Sequence, residues 1–496
     1  MAPAVLIALW QGAEPRAAAW AGFAFNLGTF VAGTYWVFIG LTRGDAPIWM
    51  ALAVWAGLVA VMAVYGGLLG YAVARWLPAS GAFRWMAGIP AAWLFVEWWR
   101  GWFLTGFAWL SLGYSQADTW LGQACAPILG MYGLSALLLV GAGALVTLLW
   151  GRPRERWVAL LVLILPWLAA VPLKSHDWTH PVGKPVGVAI IQGSIPEDQK
   201  WQDEYRDRTL QRYRRLTLSA LGTPVIIWPE AAPPDLANNL TAYLLGIYRQ
   251  AHDRGSSLLI GVLRSDGGGI YYNSVLALGS KVGWYDKRHL VPFAEFFPVP
   301  RFVRNWLRIK GLPYSDFTRG PPHQPPLSAA GLHFATSICY EDVYGSYELP
   351  ILAESDALVN VTNDAWFAHT TEHAQHLEIA RMRALEDGRY LLRAANDGIS
   401  AVIGPHGRIV ASAPQYRPYV LEAKFTARRG LTPYANYGNW LIICLAAATL
   451  VLVVGWSRLR AKVPGPEPEP GVASDPTAVA EAPPSPERRA HPRSLT

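Results

Sequence analysis

Hydrophobic and polar residues are segregated along this chain. Residues 17–42, 46–74, 119–151 and 430–457 each run without a single Asp, Glu, Lys or Arg, and each exceeds the roughly 20 apolar residues that a helix needs to cross a bilayer core. Two shorter apolar stretches, 85–99 and 157–173, are expected as further spans at the low end of that range. So many uncharged windows cannot all be buried in one soluble domain, and the pattern predicts a polytopic α-helical membrane protein. Residues 4–10 are apolar but too short to span, and they lack the basic region and small-residue cleavage site of a signal peptide. They either rest in the interface or follow a first helix that this start omits.

Between 174 and 429 the pattern changes to ordinary charge density, short apolar runs and turn residues. VGVAIIQ (186–192), PVIIWPE (224–230), SLLIGVL (257–263) and ALVNVTN (357–363) read as strands. Helical stretches at 203–221, 236–253 and 371–386 alternate with them, which predicts an α/β sandwich inserted between membrane spans. The expected organisation is therefore transmembrane helices over 1–173, a soluble domain over 174–429, a last span over 430–457 and a tail over 458–496. After Lys462 that tail is Pro-rich, with almost nothing to bury, and is expected to be disordered.

Composition agrees with lipid as a solvent: 52% of the 496 residues are hydrophobic, only 16% are charged, and 24 are Trp. The net charge of +7 raises the question of nucleic acid, but no basic stripe is interleaved with aromatics and no zinc-finger spacing occurs, so none is expected as a partner. The basic residues instead bear on topology. Arg152, Arg154 and Arg156 form a short loop of the kind retained in the cytoplasm. With that loop inside, the soluble domain is delivered to the outer side and the last span returns the chain to Arg458, Arg460 and Lys462. Lys424, Arg428 and Arg429 oppose this, but long translocated domains weigh little in the rule.

Three cysteines give neither a disulfide framework nor a metal-ligand spacing. Cys125 and Cys444 lie in apolar windows and read as packing residues. Cys339 ends the strand-like run FATSICY (334–340) and precedes Glu341 and Asp342 as if a helix began there, a position expected to lower a thiol pKa. Glu230 directly follows an apolar strand and a Trp-Pro pair. Lys287 follows another strand and leads into an apolar, Pro-rich loop that carries Glu295. Taken singly, each has a plain alternative: a packed thiol, a solvated carboxylate, a surface lysine.

Together these segments resemble the nitrilase superfamily, whose Glu base, Lys and Cys nucleophile occur in that order along the chain. WPEAA (228–232), YDKRHLVPFAEFFP (285–298), ICYEDVY (338–344), NDAWF (363–367) and EWWRGWFLTGFAWLSLGYSQ (97–116), with the membrane flanks, are similar to the apolipoprotein N-acyltransferase family. The resemblance implies an α-β-β-α sandwich on membrane helices, in the bacterial inner membrane with the catalytic domain on the periplasmic side, and neither cofactor nor metal. It implies a catalytic triad of Glu230, Lys287 and Cys339, support from Glu295, Glu341 and Tyr340, and substrate binding by Trp228, Phe293, Asn363 and Trp366. A phospholipid would be the acyl donor and a diacylglyceryl-lipoprotein the acceptor. The aromatic stretches 98–109 and 293–302 would form a lipid entrance, with Glu97 and Arg100 paired at a span end. A membrane-tethered amidase is the alternative, although six candidate spans exceed what an anchor needs. The sequence departs from the family at Ala108, Ala294 and Ala368, where Pro or Gly is more usual, and at Asp397, where Thr or Ser is.

Overall fold

A computed structural model describes residues 1–44, 46–296, 302 and 317–462; the predicted disorder after Lys462 lies outside the described residues. Among them, five helices have the length and apolarity to cross a membrane: α2 (Pro15–Arg43), α3 (Ile48–Trp76), α5 (Trp120–Trp150), α6 (Pro153–Leu173) and the C-terminal α13 (Trp440–Lys462). The expected span at 85–99 lies within one continuous helical stretch over residues 82–100, in which a π-helical turn, Arg84–Gly88, runs into α4 (Ile89–Arg100); at about 1.5 Å per residue that stretch reaches the low end of a span's length. Residues 4–10 belong to α1 (Ala2–Leu9) and the turn after it, where Leu6, Ile7 and Trp10 pack against Leu69, Val73 and Trp85.

Small residues let the membrane helices approach closely. A methyl on Gly22 would sit 2.1 Å from the Gly66 carbonyl oxygen, and one on Gly70 2.1 Å from that of Ala18, so α2 and α3 meet through glycines where lipid supplies no hydrophobic drive. Helix α5 is broken at Gly130 (φ 66°), three residues after Pro127. The break frees the Met131 N–H, which donates to Glu386 Oε1 at 2.6 Å. A kink in a membrane helix is thus satisfied by a carboxylate from the soluble domain.

That domain is built from two six-stranded sheets, in the orders β12-β1-β2-β3-β4-β5 and β11-β10-β9-β8-β7-β6. The first contains β1 (His180–Gln192), β2 (Val225–Trp228), β3 (Ser257–Gly267), β4 (Ile270–Leu278), β5 (Val282–Asp286) and β12 (Tyr419–Arg429). The second contains β6 (Leu327–Ala329), β7 (Leu332–Ile338), β8 (Ala357–Thr362), β9 (Leu391–Ala395), β10 (Ala401–Ile403) and β11 (Ile409–Ser412). β1, β2 and β3 run parallel, as do β7, β8 and β9. Alternation along each strand makes the layers. Val188, Ile190, Val225, Ile227 and Leu259 meet Phe334, Ile338, Val359 and Leu392 between the sheets. Ile226, Trp228, Leu258 and Ile260 face outward under Leu210 and Tyr213 of α8 (Asp203–Ser219) and Leu244 and Ile247 of α9 (Thr241–His252). Ala335, Leu358 and Leu391 pack under Leu377, Ala380 and Ala384 of α11 (Glu372–Asp387). The result is the expected α-β-β-α sandwich.

The sandwich is seated on the helices by an apolar cluster. Tyr340, Val343, Ile379, Met382 and Leu385 pack with Trp36, Leu94, Trp109, Met131 and Leu134. One polar residue pins the seam: Gln375 Oε1 accepts the indole N–H of Trp109 at 2.7 Å and of Trp36 at 3.1 Å, and its amide donates to the Gly33 carbonyl at 3.2 Å.

Candidate active site

Three strand ends converge where the two sheets meet the membrane side. Glu230 lies just beyond β2. Its Oε1 accepts from Asn273 Nδ2 at 2.7 Å and from Lys287 Nζ at 3.3 Å, and its Oε2 from the Asn363 backbone N–H at 2.9 Å. Lys287 lies just beyond β5, is 1% exposed, and also donates to Glu295 Oε1 at 2.9 Å. Glu295 is itself fixed by the Val291 N–H at 2.8 Å and by Asn273 at 3.0 Å. Burial would depress the Lys287 pKa, but the adjacent Glu230 and Glu295 carboxylates outweigh it and hold the value well above ordinary. The ammonium is therefore a permanent charge in the cleft.

Cys339 follows β7 and opens a 3₁₀ turn, Cys339–Val343, with φ at 51°. A non-glycine residue in this region is sterically costly and marks a turn held by its surroundings. Cys339 packs against both the sandwich core and the cluster that meets the membrane helices. Burial, reinforced by the Glu230 charge, pushes its thiol up, against the pull of Lys287 and His376. This corrects the expectation of a thiolate made ready by a helix N-terminus: the helix is a single 3₁₀ turn, and desolvation wins. A thiol held in this state is a nucleophile only with a base beside it.

Glu341 is fully buried and ties two of the strand ends together. Its Oε1 accepts the N–H groups of Arg288 (2.6 Å) and His289 (3.0 Å), while Oε2 accepts the Ile338 N–H (2.8 Å) and the Tyr285 hydroxyl (2.9 Å). Tyr340 stacks on Trp109 at 6.1 Å and donates to the Gly106 carbonyl at 3.3 Å, joining the Cys339 turn to the aromatic loop. That loop is held by Arg100, which donates to the carbonyls of Phe107 and Trp109 and pairs with Glu97 at 3.7 Å, as expected.

The residues expected to bind substrate divide. Asn363 belongs to the site, where it orients Glu230 and donates to Glu197 Oε2 at 2.7 Å. Phe293 (φ 64°) sits in the turn between Lys287 and Glu295, with its N–H on the Phe296 carbonyl at 2.8 Å. Trp366 and Phe367 meet the C-terminal end of α2: methyls on Gly44 and Gly40 would lie 2.8 Å from their rings. They dock the domain on the membrane helices. Trp228 is a correction. Strand alternation turns it to the helix side, where it is wholly buried, donates to Thr217 at 3.0 Å and stacks on Tyr213. Of the lipid-entrance stretch 293–302, residues 297–301 lie outside the described residues.

Several participants were not anticipated. Lys200 is wholly buried, with Nζ 3.5 Å from the Glu230 carbonyl. Asn273, Asn360 and Arg393 each interrupt an apolar strand, and that interruption was the available signal. A cavity of about 460 Å³ opens beside the Cys339 turn, lined by Trp98, Trp102, His289, Arg319, Tyr344 and Tyr347 among others.

A two-sheet sandwich seated on membrane-length helices, with Cys339, Glu230 and Lys287 in one cleft, defines a nitrilase-like domain carried by a polytopic membrane protein. The carbon-nitrogen hydrolase family model matches residues 187–434, and the apolipoprotein N-acyltransferase N-terminal domain model matches residues 1–144. The chain is 39% identical over 472 residues to the apolipoprotein N-acyltransferase of Methylococcus capsulatus, covering 94% of each chain. It is 39% identical over 469 residues to that of Azotobacter vinelandii, covering 93% of this chain and 90% of that one. A solved carbon-nitrogen hydrolase from Helicobacter pylori G27 is similar at 14% identity and a TM-score of 0.37, over 56% of this chain and 95% of that one. The chain belongs to the apolipoprotein N-acyltransferase family, and it is an acyltransferase with a nitrilase-like domain.

Proposed function

We propose that the protein transfers a fatty acyl chain from a phospholipid to the α-amino group of the N-terminal S-diacylglyceryl cysteine of lipoproteins, through a thioester on Cys339. The observation that carries this reading is the contact of Lys287 with both Glu230 and Glu295 at the strand ends, in the cleft that holds Cys339 and faces the aromatic loop of the membrane helices.

In the first half-reaction the Cys339 sulfur attacks the acyl ester carbon while its proton passes to Glu230. Lys287 and a backbone N–H beside Cys339 stabilise the oxyanion, one such donor being worth roughly 3 kcal/mol. The ester C–O bond breaks, Glu230 returns the proton to the glycerol oxygen, and lysophospholipid leaves. In the second half, Glu230 takes a proton from the attacking amine, the thioester C–S bond breaks, and Glu230 passes that proton to the Cys339 sulfur, which restores the thiol. Glu295 and Asn273 hold Lys287 and Glu230 in register, and Glu341 and Tyr340 hold the nucleophile turn. The cavity lined by Trp98, Trp102 and Tyr344 receives the lipid, and the dry cleft protects the thioester from water. The catalytic domain faces the periplasm from the inner membrane.

Mass spectrometry after incubation with phosphatidylethanolamine alone tests the first half. An acyl mass on the Cys339 peptide, absent in Cys339→Ala, is expected. An unmodified Cys339 in the active protein, with hydrolysis of small amides instead, would replace this reading with a membrane-tethered amidase.

A further inference from the structure

His376, on α11, is 1% exposed and belongs to none of the three strand ends. Its Nε2 lies 3.3 Å from the Cys339 carbonyl oxygen and 3.1 Å from Asp342 Oδ1. Its Nδ1 lies 3.2 Å from Asp364 Oδ1 and 3.2 Å from Glu372 Oε1. The Cys339 carbonyl and the Asp342 and Asp364 carboxylates accept, so both ring nitrogens carry hydrogen and the ring is an imidazolium. The other groups around it are Arg393, which pairs with Asp364 at 2.9 Å and Asp342 at 3.6 Å, His373 beside Glu372, and the Trp109 ring at 5.4 Å. Burial and Arg393 would depress the His376 pKa; Asp342 and Asp364 outweigh them and raise it well above ordinary.

The Cys339 carbonyl is thus held between two donors, His376 and Asn360 Nδ2, each at 3.3 Å. A trans peptide is planar, so fixing this oxygen sends the Tyr340 N–H the opposite way. That N–H is the second of the 3₁₀ turn Cys339–Val343, and no backbone carbonyl outside the turn accepts it among the described residues. We propose that His376 is a positioning residue whose imidazolium clamps the Cys339–Tyr340 peptide, so that the Tyr340 N–H faces the acyl oxygen as it becomes negative. The inference rests on the acyl-enzyme reading above.

The test uses the full chain in detergent and two reactions of one sulfur. Acylation by phosphatidylethanolamine develops an oxyanion, whereas alkylation by iodoacetamide does not. In His376→Gln the amide reproduces the Nε2 side, and in His376→Asn only the Nδ1 side. Single-turnover acylation is expected to fall about 10²-fold or more in His376→Asn and to stay within about tenfold of the unmodified protein in His376→Gln. Alkylation should stay within about threefold in both, because it makes no demand on the oxyanion donors. Equal acylation by the two variants, or alkylation that falls in parallel with acylation, would overturn the proposal. An unmodified protein that never acylates would sink the acyl-enzyme reading itself, and this inference with it.

Discussion

Replacing Glu341 by Ala removes the acceptor of four hydrogen bonds at once, from three backbone N–H groups and one phenol. A buried donor left without a partner costs about 1–3 kcal/mol. Water entering the space left by the carboxylate recovers some of this, which leaves a net loss of about 4 kcal/mol, a large part of a domain's total of about 5–15 kcal/mol. The catalytic consequence follows from which donors they are. Arg288 and His289 adjoin Lys287, and Ile338 adjoins Cys339, so the carboxylate sets the spacing between the ammonium and the sulfur. A misplacement of about 1 Å costs roughly 10²-fold in rate. Thermal unfolding in detergent, followed by tryptophan fluorescence, reads the first effect, and single-turnover acylation of Cys339 reads the second. Glu341→Gln, which fills the same space but turns an NH₂ toward a donor, should fall between the two. Acylation by Glu341→Ala within about threefold of the unmodified protein would refute the argument that this carboxylate holds the two strand ends in register.

Ala368 occupies φ 48°, ψ −143°, a conformation that favours glycine; Ala368→Gly should stabilise the protein by about 1 kcal/mol after glycine's own chain entropy, seen as a rise in the unfolding midpoint. His289 has its pKa pushed down to about 4 by burial and by the Arg319 and Lys287 charges. The unfolded chain then binds the extra proton between its ordinary value near 6.5 and about 4, so stability falls as pH drops through that window, by up to about 3 kcal/mol, and His289→Gln should flatten the slope. Gln375→Leu leaves the Trp109 indole without its acceptor, whereas Trp36 still donates to Gly33 at 2.8 Å. The seam should loosen by about 1–3 kcal/mol, measured as faster hydrogen exchange across the stretch 98–109.

Sequence pattern made the layers legible and the site's edges only partly so. Charge-free windows and strand-length apolar runs are local signals, which is why α2, α3, α5 and the strands at 186–192 and 357–363 were found within a few residues. The stretch 85–99 falls inside the continuous helix over 82–100, but its π-helical turn at Arg84–Gly88 and its buried Glu97–Arg100 pair are features that apolarity alone does not announce. Trp228 misled because its neighbours in sequence are Pro229 and Glu230, while strand alternation places it on the opposite face of the sheet. Glu341 reads from the sequence as a support for the Cys339 turn, but its four donors come from residues 285–289 and 338, a convergence that no local pattern encodes. His376, Asn360 and Arg393 were missed for the same reason: each is a polar residue in an apolar setting, and its partners arrive from other elements.

The seam between the domain and the membrane helices explains why those partners matter. Tyr340 and His376 both lie against Trp109, and Trp109 is held in turn by Arg100 and by Gln375, the residue next to His376. The side chains that shape the Cys339 turn therefore also seat the sandwich on α2 and on the loop after α4. In the proposed mechanism a thioester formed away from lipid would be exposed to water, so shaping the nucleophile turn through the same contacts that seat the domain on the membrane helices restricts acylation to where both substrates reside. The coupling has a measurable sign. If it holds, Gln375→Leu slows Cys339 acylation as well as loosening the seam, whereas a seam that loosens with acylation unchanged would show that docking and chemistry are independent.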